Sequence, residues 1–105
     1  MKRTKENRQW LGATHVDADA FLDAHTRRDP DAIISRQDMY DMFEVWCEAH
    51  ERDIVGGMRE FRTMLFVRLH MRGAQPVTTT DGNYERIAAG KAQLRGFRLV
   101  PVHAI

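Results

Sequence analysis

The chain has little cysteine and no long apolar run. Among its 105 residues Cys47 is the one cysteine, which excludes an internal disulfide and suits a reducing, intracellular compartment. No apolar run approaches the roughly 18 to 20 residues that cross a bilayer. The basic N-terminal segment MKRTKENRQW lacks the apolar core of a signal peptide. We therefore expect one small cytoplasmic domain that has no contact with a membrane.

Sequence motifs of catalysis are missing as well. The chain has no CxxC pair, no glycine-rich phosphate loop and no Gly-x-Ser-x-Gly, and no two of its histidines stand at the i, i+4 spacing of a helical metal site. A complete Rossmann domain or a barrel does not fit in this length. The sequence therefore predicts a non-enzymatic protein with no cofactor and no metal. The alternatives are a paired-carboxylate site on the acidic side chains of residues 38–48, or a reactive Cys47 instead of a core thiol.

The small net charge of +1 conceals an uneven distribution of charge. Residues 1–14 hold four basic side chains and one acidic one, and residues 15–50 hold three basic and nine acidic ones. Residues 51–105 hold nine basic and five acidic side chains, a net charge of +4. A basic half of this kind is typical of proteins that face a polyanion. The alternative is that two oppositely charged faces only keep the protein soluble.

Two helices are predicted in the acidic half. The first covers residues 16–26 and ends before Asp29-Pro30, because the residue before a proline disfavours the helical region. Its predicted apolar stripe comprises Val16, Ala20, Phe21 and Ala24. The second begins at Ser35, with Asp38 three positions later in an arrangement that resembles a capping box. Its predicted core face comprises Met39, Tyr40, Phe43, Trp46 and Cys47.

A third helix is predicted over residues 58–71, between Gly56-Gly57 and the C-capping Gly73. Its predicted core stripe comprises Met58, Phe61, Leu65 and Leu69. Strands are predicted at residues 32–34, 76–80 and 95–100, with a turn at 81–83. Residues 1–14 have no periodicity and are predicted to be a flexible basic arm before a domain at 15–105. The order helix, short strand, helix, helix, strand, strand predicts an α+β fold of the winged helix-turn-helix type.

The third helix carries the predicted contacts with DNA. At about 100° per residue, its outer flank holds Arg59, Thr63, Phe66 and His70, and Arg62 borders it. The first positions of a recognition helix reach base edges or phosphates, and the arginine fork suits both. Phe66 and Val67 have three interpretations: contact with a thymine methyl, packing on the wing or arm, which we favour, or a dimer interface.

The predicted wing, at about residues 75–100, supplies further basic side chains: Arg86, Lys91 and Arg95. Wings commonly contact phosphates, which provides affinity with little sequence information. The sequence therefore predicts binding to double-stranded DNA, with residues 58–71 in the major groove and the wing on the backbone. Neutralising ~4 to 6 phosphates would give a salt slope of about −4 to −5.

Several core positions resemble the C-terminal winged-helix domain of phage and plasmid primase-helicases. The resemblance covers roughly residues 17–100 and departs from the family at Gly56-Gly57, where a serine is common, and in the long segment 81–93. The residues that carry it are Ser35, Asp38-Met39-Tyr40, Phe43, Trp46-Cys47-Glu48, Phe61, Leu65, Leu69, Gly73 and Gly96-Phe97-Arg98-Leu99. It implies a stand-alone DNA-binding domain of a phage or mobile element that acts in DNA replication in a bacterial host cell, with replication proteins as further partners.

Two rival functions remain open at this point. One is a transcriptional regulator or excisionase-like protein of the same fold, which would bind DNA as a homodimer or in arrays. The other is a protein-interaction winged helix that has lost DNA binding. In that case the acidic face of the second helix would bind a basic partner through Asp38, Asp41, Glu44 and Glu48.

Overall fold

The computed structural model describes residues 10–55, 57–77 and 93–102. These residues form a small α+β domain with three helices, which confirms the predicted class. In chain order the elements are β1 Leu11–Gly12, α1 His15–His25, β2 Thr26–Ser35, α2 Arg36–Ala49, β3 Arg52–Asp53, α3 Met58–Met71, β4 Gln75–Pro76 and β5 Gln93–Leu99. None of the described helices is long and apolar enough to cross a bilayer.

The main sheet is antiparallel and has the strand order β2-β5-β4. Strand β2 is much longer than the predicted strand at residues 32–34, and it starts where α1 ends. Its register against β5 runs from Thr26 opposite Leu99 and shifts between Asp29 and Ile33. Pro30 lies within that shift on an edge strand, a place where a missing backbone donor is tolerated. Pro30 therefore interrupts a strand and does not end the first helix.

The first helix ends at His25 because Thr26 closes it. The Thr26 hydroxyl donates to the carbonyl oxygen of Leu22 at 2.6 Å, and its backbone N–H points to the same oxygen. The backbone then crosses directly to the final strand, since the N–H of Val100 donates to the carbonyl of His25 at 2.7 Å. A threonine is a weak signal for the end of a helix, whereas a proline is a strong one. The sequence pattern therefore places the end of the first helix at the proline.

The predicted arm of residues 1–14 is wrong at its C-terminal end. Leu11–Gly12 pairs in parallel with Arg52–Asp53, and the N–H of Ala13 donates to the carbonyl of Asp53 at 2.7 Å. Thr14 is the N-cap of α1 in a full capping box with Asp17. Residues 1–9 lie outside the described part of the chain.

The core lies between the three helices and the inner face of the main sheet. The face predicted for α2 is confirmed, because all five of its residues are buried. On α3 the buried residues are Phe61, Leu65 and Leu69, whereas Met58 is 45% exposed because it lies at the first position of the helix. Strand β5 contributes Leu94 and Phe97, and β2 contributes Ile34.

The stripe predicted for α1 is wrong except at Phe21. Val16 is 62% exposed, and Ala20 and Ala24 also face solvent. The buried side is formed by Asp17, Ala18, Phe21 and Leu22. Asp17 is buried because its carboxylate closes the cap and pairs with Arg52 from β3, at 3.2 Å. The buried side of α1 therefore includes a polar residue, Asp17, which a pattern based on apolar spacing leaves out.

Candidate nucleic-acid interface

Helix α3 has two flanks, one on each side of its buried line. The flank that faces α1 holds Arg68, and Arg72 follows at the C-cap of the helix. Arg68 donates from Nη1 to Asp19 Oδ2 at 2.7 Å, and Arg72 donates from Nη2 to Asp19 Oδ1 at 3.1 Å. Arg72 also pairs with Asp23. The arginines on this side are therefore matched by aspartates of α1.

Removal of Asp19 tests how much this pairing stabilises the domain. Since these side chains are about one-third exposed, we expect Asp19→Ala to lower the free energy of unfolding by about 0.5–1 kcal/mol. Urea denaturation at about 0.05 and 0.5 M salt measures the effect, which should shrink at the higher salt because exposed pairs are screened. A loss that does not depend on salt would show that helix packing, not charge, accounts for it.

The opposite flank of α3 faces the first turn of α2 and has no such compensation. We call three arginines here the arginine cluster: Arg36 at the start of α2 and Arg62 on α3, which interact with each other, and Arg59 on α3, which lies at the edge of this flank beside the solvent side of the helix. Among the described residues none of the three has a carboxylate within ion-pairing distance. Arg62 donates instead to the neutral amide oxygen of Gln37 at 2.8 Å. The cluster is therefore a local concentration of uncompensated positive charge.

The electrostatics of Arg36 show that Arg36 and Arg62 lie close together. Burial lowers the pKa of the Arg36 guanidinium, and the positive charge of Arg62 lowers it further. The Nε atoms of both side chains are buried and find no acceptor in the described part of the chain. The guanidinium carbon of Arg36 lies 4.9 Å from the centre of the Phe66 ring, which holds this side chain in place. An anion that approached this flank would relieve the repulsion between the two guanidiniums.

The structure distributes the predicted site residues over several environments. Arg59, Thr63 and His70 are exposed, whereas Arg62 is half-buried. The His70 Nδ1 atom lies 2.7 Å from the carbonyl oxygen of Ala74, so the ring is turned to the end of its own helix. Arg95 is exposed on β5 and in register with Gln75 of β4. Arg86 and Lys91 lie outside the described residues.

The favoured interpretation of Phe66, packing on the wing or the arm, involves residues that lie largely outside the described part of the chain. Phe66 is half-buried, packs against the core and is covered by Arg36 from the start of α2. Among the described residues, the cation that lies over the Phe66 ring belongs to the neighbouring helix. Arg36 itself was missed by sequence reasoning. Its position directly after the capping Ser35 was the available signal, since that turn of α2 borders α3.

The solvent side of α3 between the two flanks combines apolar and charged side chains. A shallow groove of about 590 Å³ runs along it, and Val67 and Met71 are 46% and 76% exposed. The groove is lined by Arg59, Glu60, Thr63, Met64, Val67, Arg68 and Met71. The groove therefore joins exposed apolar surface to the exposed side chain of Arg59.

Cys47 and the nearby Tyr40 both lie on the buried face of α2. Cys47 is 2% exposed in the core. Burial raises the pKa of the nearby Tyr40 phenol, and the adjacent Glu44 raises it further, which keeps the phenol protonated. Among the described residues no group of three or more potential ligands could hold a metal ion.

Comparison with known proteins found no match: no protein-family model, no curated protein and no solved structure matches this chain.

Proposed function

We propose that this protein binds double-stranded DNA as a winged-helix domain, with α3 in the major groove. The order α1, β2, α2, α3, β4, β5 and the sheet order β2-β5-β4 are compatible with that fold. In this proposal α2 and α3 form the helix-turn-helix, and the connection from β4 to β5 forms the wing. Arg95 lies on β5 outside that connection, on the exposed face of the main sheet.

The proposal depends above all on the contrast between the two flanks of α3. Arg68 and Arg72 are matched by aspartates, but Arg36, Arg59 and Arg62 are not. Guanidinium groups that crowd together without carboxylates suit a ligand that brings its own regularly spaced negative charges. The phosphate backbone of DNA is such a ligand, and neutralising it releases condensed counterions.

The proposed division of roles follows from exposure. Arg36 and Arg62 are held by Phe66 and Gln37, which suits fixed contacts with phosphates. Arg59 and Thr63 are exposed one turn apart near the start of α3, where a recognition helix reaches base edges. Phe66 is covered and therefore positions Arg36 and does not touch a thymine methyl.

The resemblance to primase-helicase domains supplies the proposed setting. We place the protein in the replication of a phage or mobile element, in the cytoplasm of a bacterial host, as a non-enzymatic domain without cofactor. Its partners would be DNA and replication proteins.

A fluorescence-anisotropy titration of a random duplex of about 20 bp tests the proposal. We expect binding that weakens ~250- to 1,000-fold between about 50 and 200 mM salt, as a salt slope of about −4 to −5 requires. Arg59→Ala/Arg62→Ala should bind ~10- to 100-fold more weakly, with a salt slope smaller in magnitude by about 1, because only Arg62 of the two is assigned to a phosphate. Circular dichroism confirms that each variant is folded.

Arg68→Ala is the matched control, because it removes an arginine from the same helix that Asp19 already neutralises. Its affinity should stay within about threefold of wild type. Equal losses in Arg59→Ala and Arg68→Ala would mean that net charge, not the cluster, decides binding. Absence of binding at about 50 mM salt would overturn the proposal and direct attention to a basic protein partner for the acidic face of α2.

A homodimeric regulator of the same fold is the second candidate, and the groove on α3 favours it. Exposed Val67 and Met71 beside Met64 form a surface that a second copy could cover. Sedimentation equilibrium with and without a duplex separates the two candidates. A dimer that protects one defined sequence in a footprint would favour the regulator.

A further inference from the structure

The outer face of the main sheet carries a second group of arginines, on a different side of the core from the α3 flank. On β5, Leu94 and Phe97 are buried against the helices, whereas Arg95 and Arg98 are exposed on the other side. Arg27 of β2 is exposed too, and it lies directly opposite Arg98 in the ladder. We call Arg27, Arg95 and Arg98 the sheet arginines.

The pairing of Arg27 with Arg98 is unfavourable in isolation. Like charges directly opposite each other in antiparallel strands destabilise a sheet. Arg27 donates from Nη1 to the carbonyl oxygens of Ala24 and Thr26, at 3.1 and 2.7 Å, so it is anchored at the end of α1. Within the described residues no carboxylate lies within ion-pairing distance of any of the three. The Asp29 carboxylate on the same strand accepts from the N–H of Asp31 instead, at 3.2 Å.

The spacing of this group suits a nucleic-acid backbone. At about 3.3 Å per residue, Arg95 and Arg98 are at most ~10 Å apart along the strand, close to the axial rise of three base pairs. The buried side of β5 and the buried line of α3 face the same core, so their exposed sides point away from it in different directions. One duplex held by α3 therefore leaves the Arg27–Arg98 pair open to another.

We propose that the sheet arginines form a second phosphate-binding surface, through which one copy of the protein bridges two DNA segments. This inference rests on the proposed function, because the first segment is the one bound by α3. The regulator and replication settings both remain compatible with it.

Energy transfer between two labelled duplexes tests the bridging. One duplex of about 20 bp carries a donor and the other an acceptor, and wild-type protein is titrated at about 50 mM salt. We expect transfer to rise as protein is added and to fall when excess protein occupies each duplex separately. That bell-shaped dependence is the signature of a linker with two sites.

Arg98→Glu is the informative variant, since a carboxylate opposite Arg27 replaces a like-charge cross-strand pair and should keep the sheet at least as stable as in wild type. We expect transfer to be lost, while the anisotropy affinity for a single duplex stays within about threefold. Arg98→Lys retains the charge and should retain transfer. Thermal unfolding of each variant verifies the fold.

The possible outcomes separate this inference from the proposed function. If wild-type protein binds a single duplex but gives no energy transfer, bridging is overturned. Energy transfer that persists in Arg98→Glu also overturns it, because a protein dimer would then join the duplexes. Single-duplex binding that is lost in Arg98→Glu but kept in Arg59→Ala/Arg62→Ala overturns bridging and the α3 site together. Absence of duplex binding overturns both proposals. The last outcome is a competition result. If poly-glutamate, at equal charge and equal concentration, displaces DNA from the Arg59→Ala/Arg62→Ala variant, the sheet arginines form a site for an acidic protein and the second DNA surface is overturned.

Discussion

Phe43→Ala should lower the free energy of unfolding by about 3–5 kcal/mol. Phe43 is fully buried, and its ring contacts Phe21 of α1 edge-on at 5.4 Å between centroids and stacks on Phe61 of α3 at 5.6 Å. The side chain thus joins all three helices, and a cavity at this point has no single neighbour that can fill it. A domain of this size has a total stability of only ~5–15 kcal/mol. Urea denaturation monitored by circular dichroism measures the loss.

Val45→Ala is the control for helix propensity and for mutation of α2 as such. Val45 lies two positions away on the same helix and is 37% exposed, so its truncation should change stability by less than ~1 kcal/mol. A Phe43→Ala loss below about 2 kcal/mol would contradict the central position of this ring, because the helices would then be held together mainly elsewhere.

Asp17→Ala should lower the free energy of unfolding by about 2–3 kcal/mol, more than an ordinary helix cap contributes. Asp17 is only 9% exposed. Its Oδ2 accepts from the backbone N–H of Thr14 at 2.8 Å, and its Oδ1 accepts from Arg52 Nε at 3.2 Å. Its removal breaks the capping box and also leaves a half-buried guanidinium without its carboxylate. The effect should appear in both thermal and urea unfolding.

Asp17→Asn separates the two contributions. The amide oxygen still accepts from Thr14, but the charge that pairs with Arg52 is lost, so we expect about half of the alanine effect. Asp41→Ala on the exposed side of α2 is the control and should cost less than ~0.5 kcal/mol. Equal effects in Asp17→Asn and Asp17→Ala would assign the whole contribution to the ion pair and none to the cap.

Much of the helical structure follows from local sequence. The hydroxyl of Ser35 accepts from the N–H of Asp38 at 3.0 Å, as the cap motif indicates. The apolar positions of α2 and three of the four on α3 are buried as their spacing predicts. These features depend on residues within one or two turns of each other, so the pattern alone contains the information.

Strand β2 shows where local sequence misleads. Pro30 is a strong breaker signal, yet the chain stays extended on both sides of it because β5 pairs with both halves of the strand. The β5 residues that pair on either side of Pro30 lie more than sixty positions further along the chain, so no local pattern around the proline indicates this pairing. Thr26 is a weak sequence signal for the end of α1. In the folded chain a long-range contact also marks this end, because the N–H of Val100 donates to the carbonyl of His25.

The candidate site divides in the same way. Spacing along the chain predicts an amphipathic α3 with Arg59 and Arg62 on one side, because helical periodicity is a local property. Which arginines are neutralised depends on tertiary packing. Arg68 meets Asp19 across 49 positions of chain, and Arg36 meets Phe66 on the next helix, so neither contact leaves a trace in local spacing. Long-range packing selects which charges find partners, and the charges left over define the surface on which the proposed function depends.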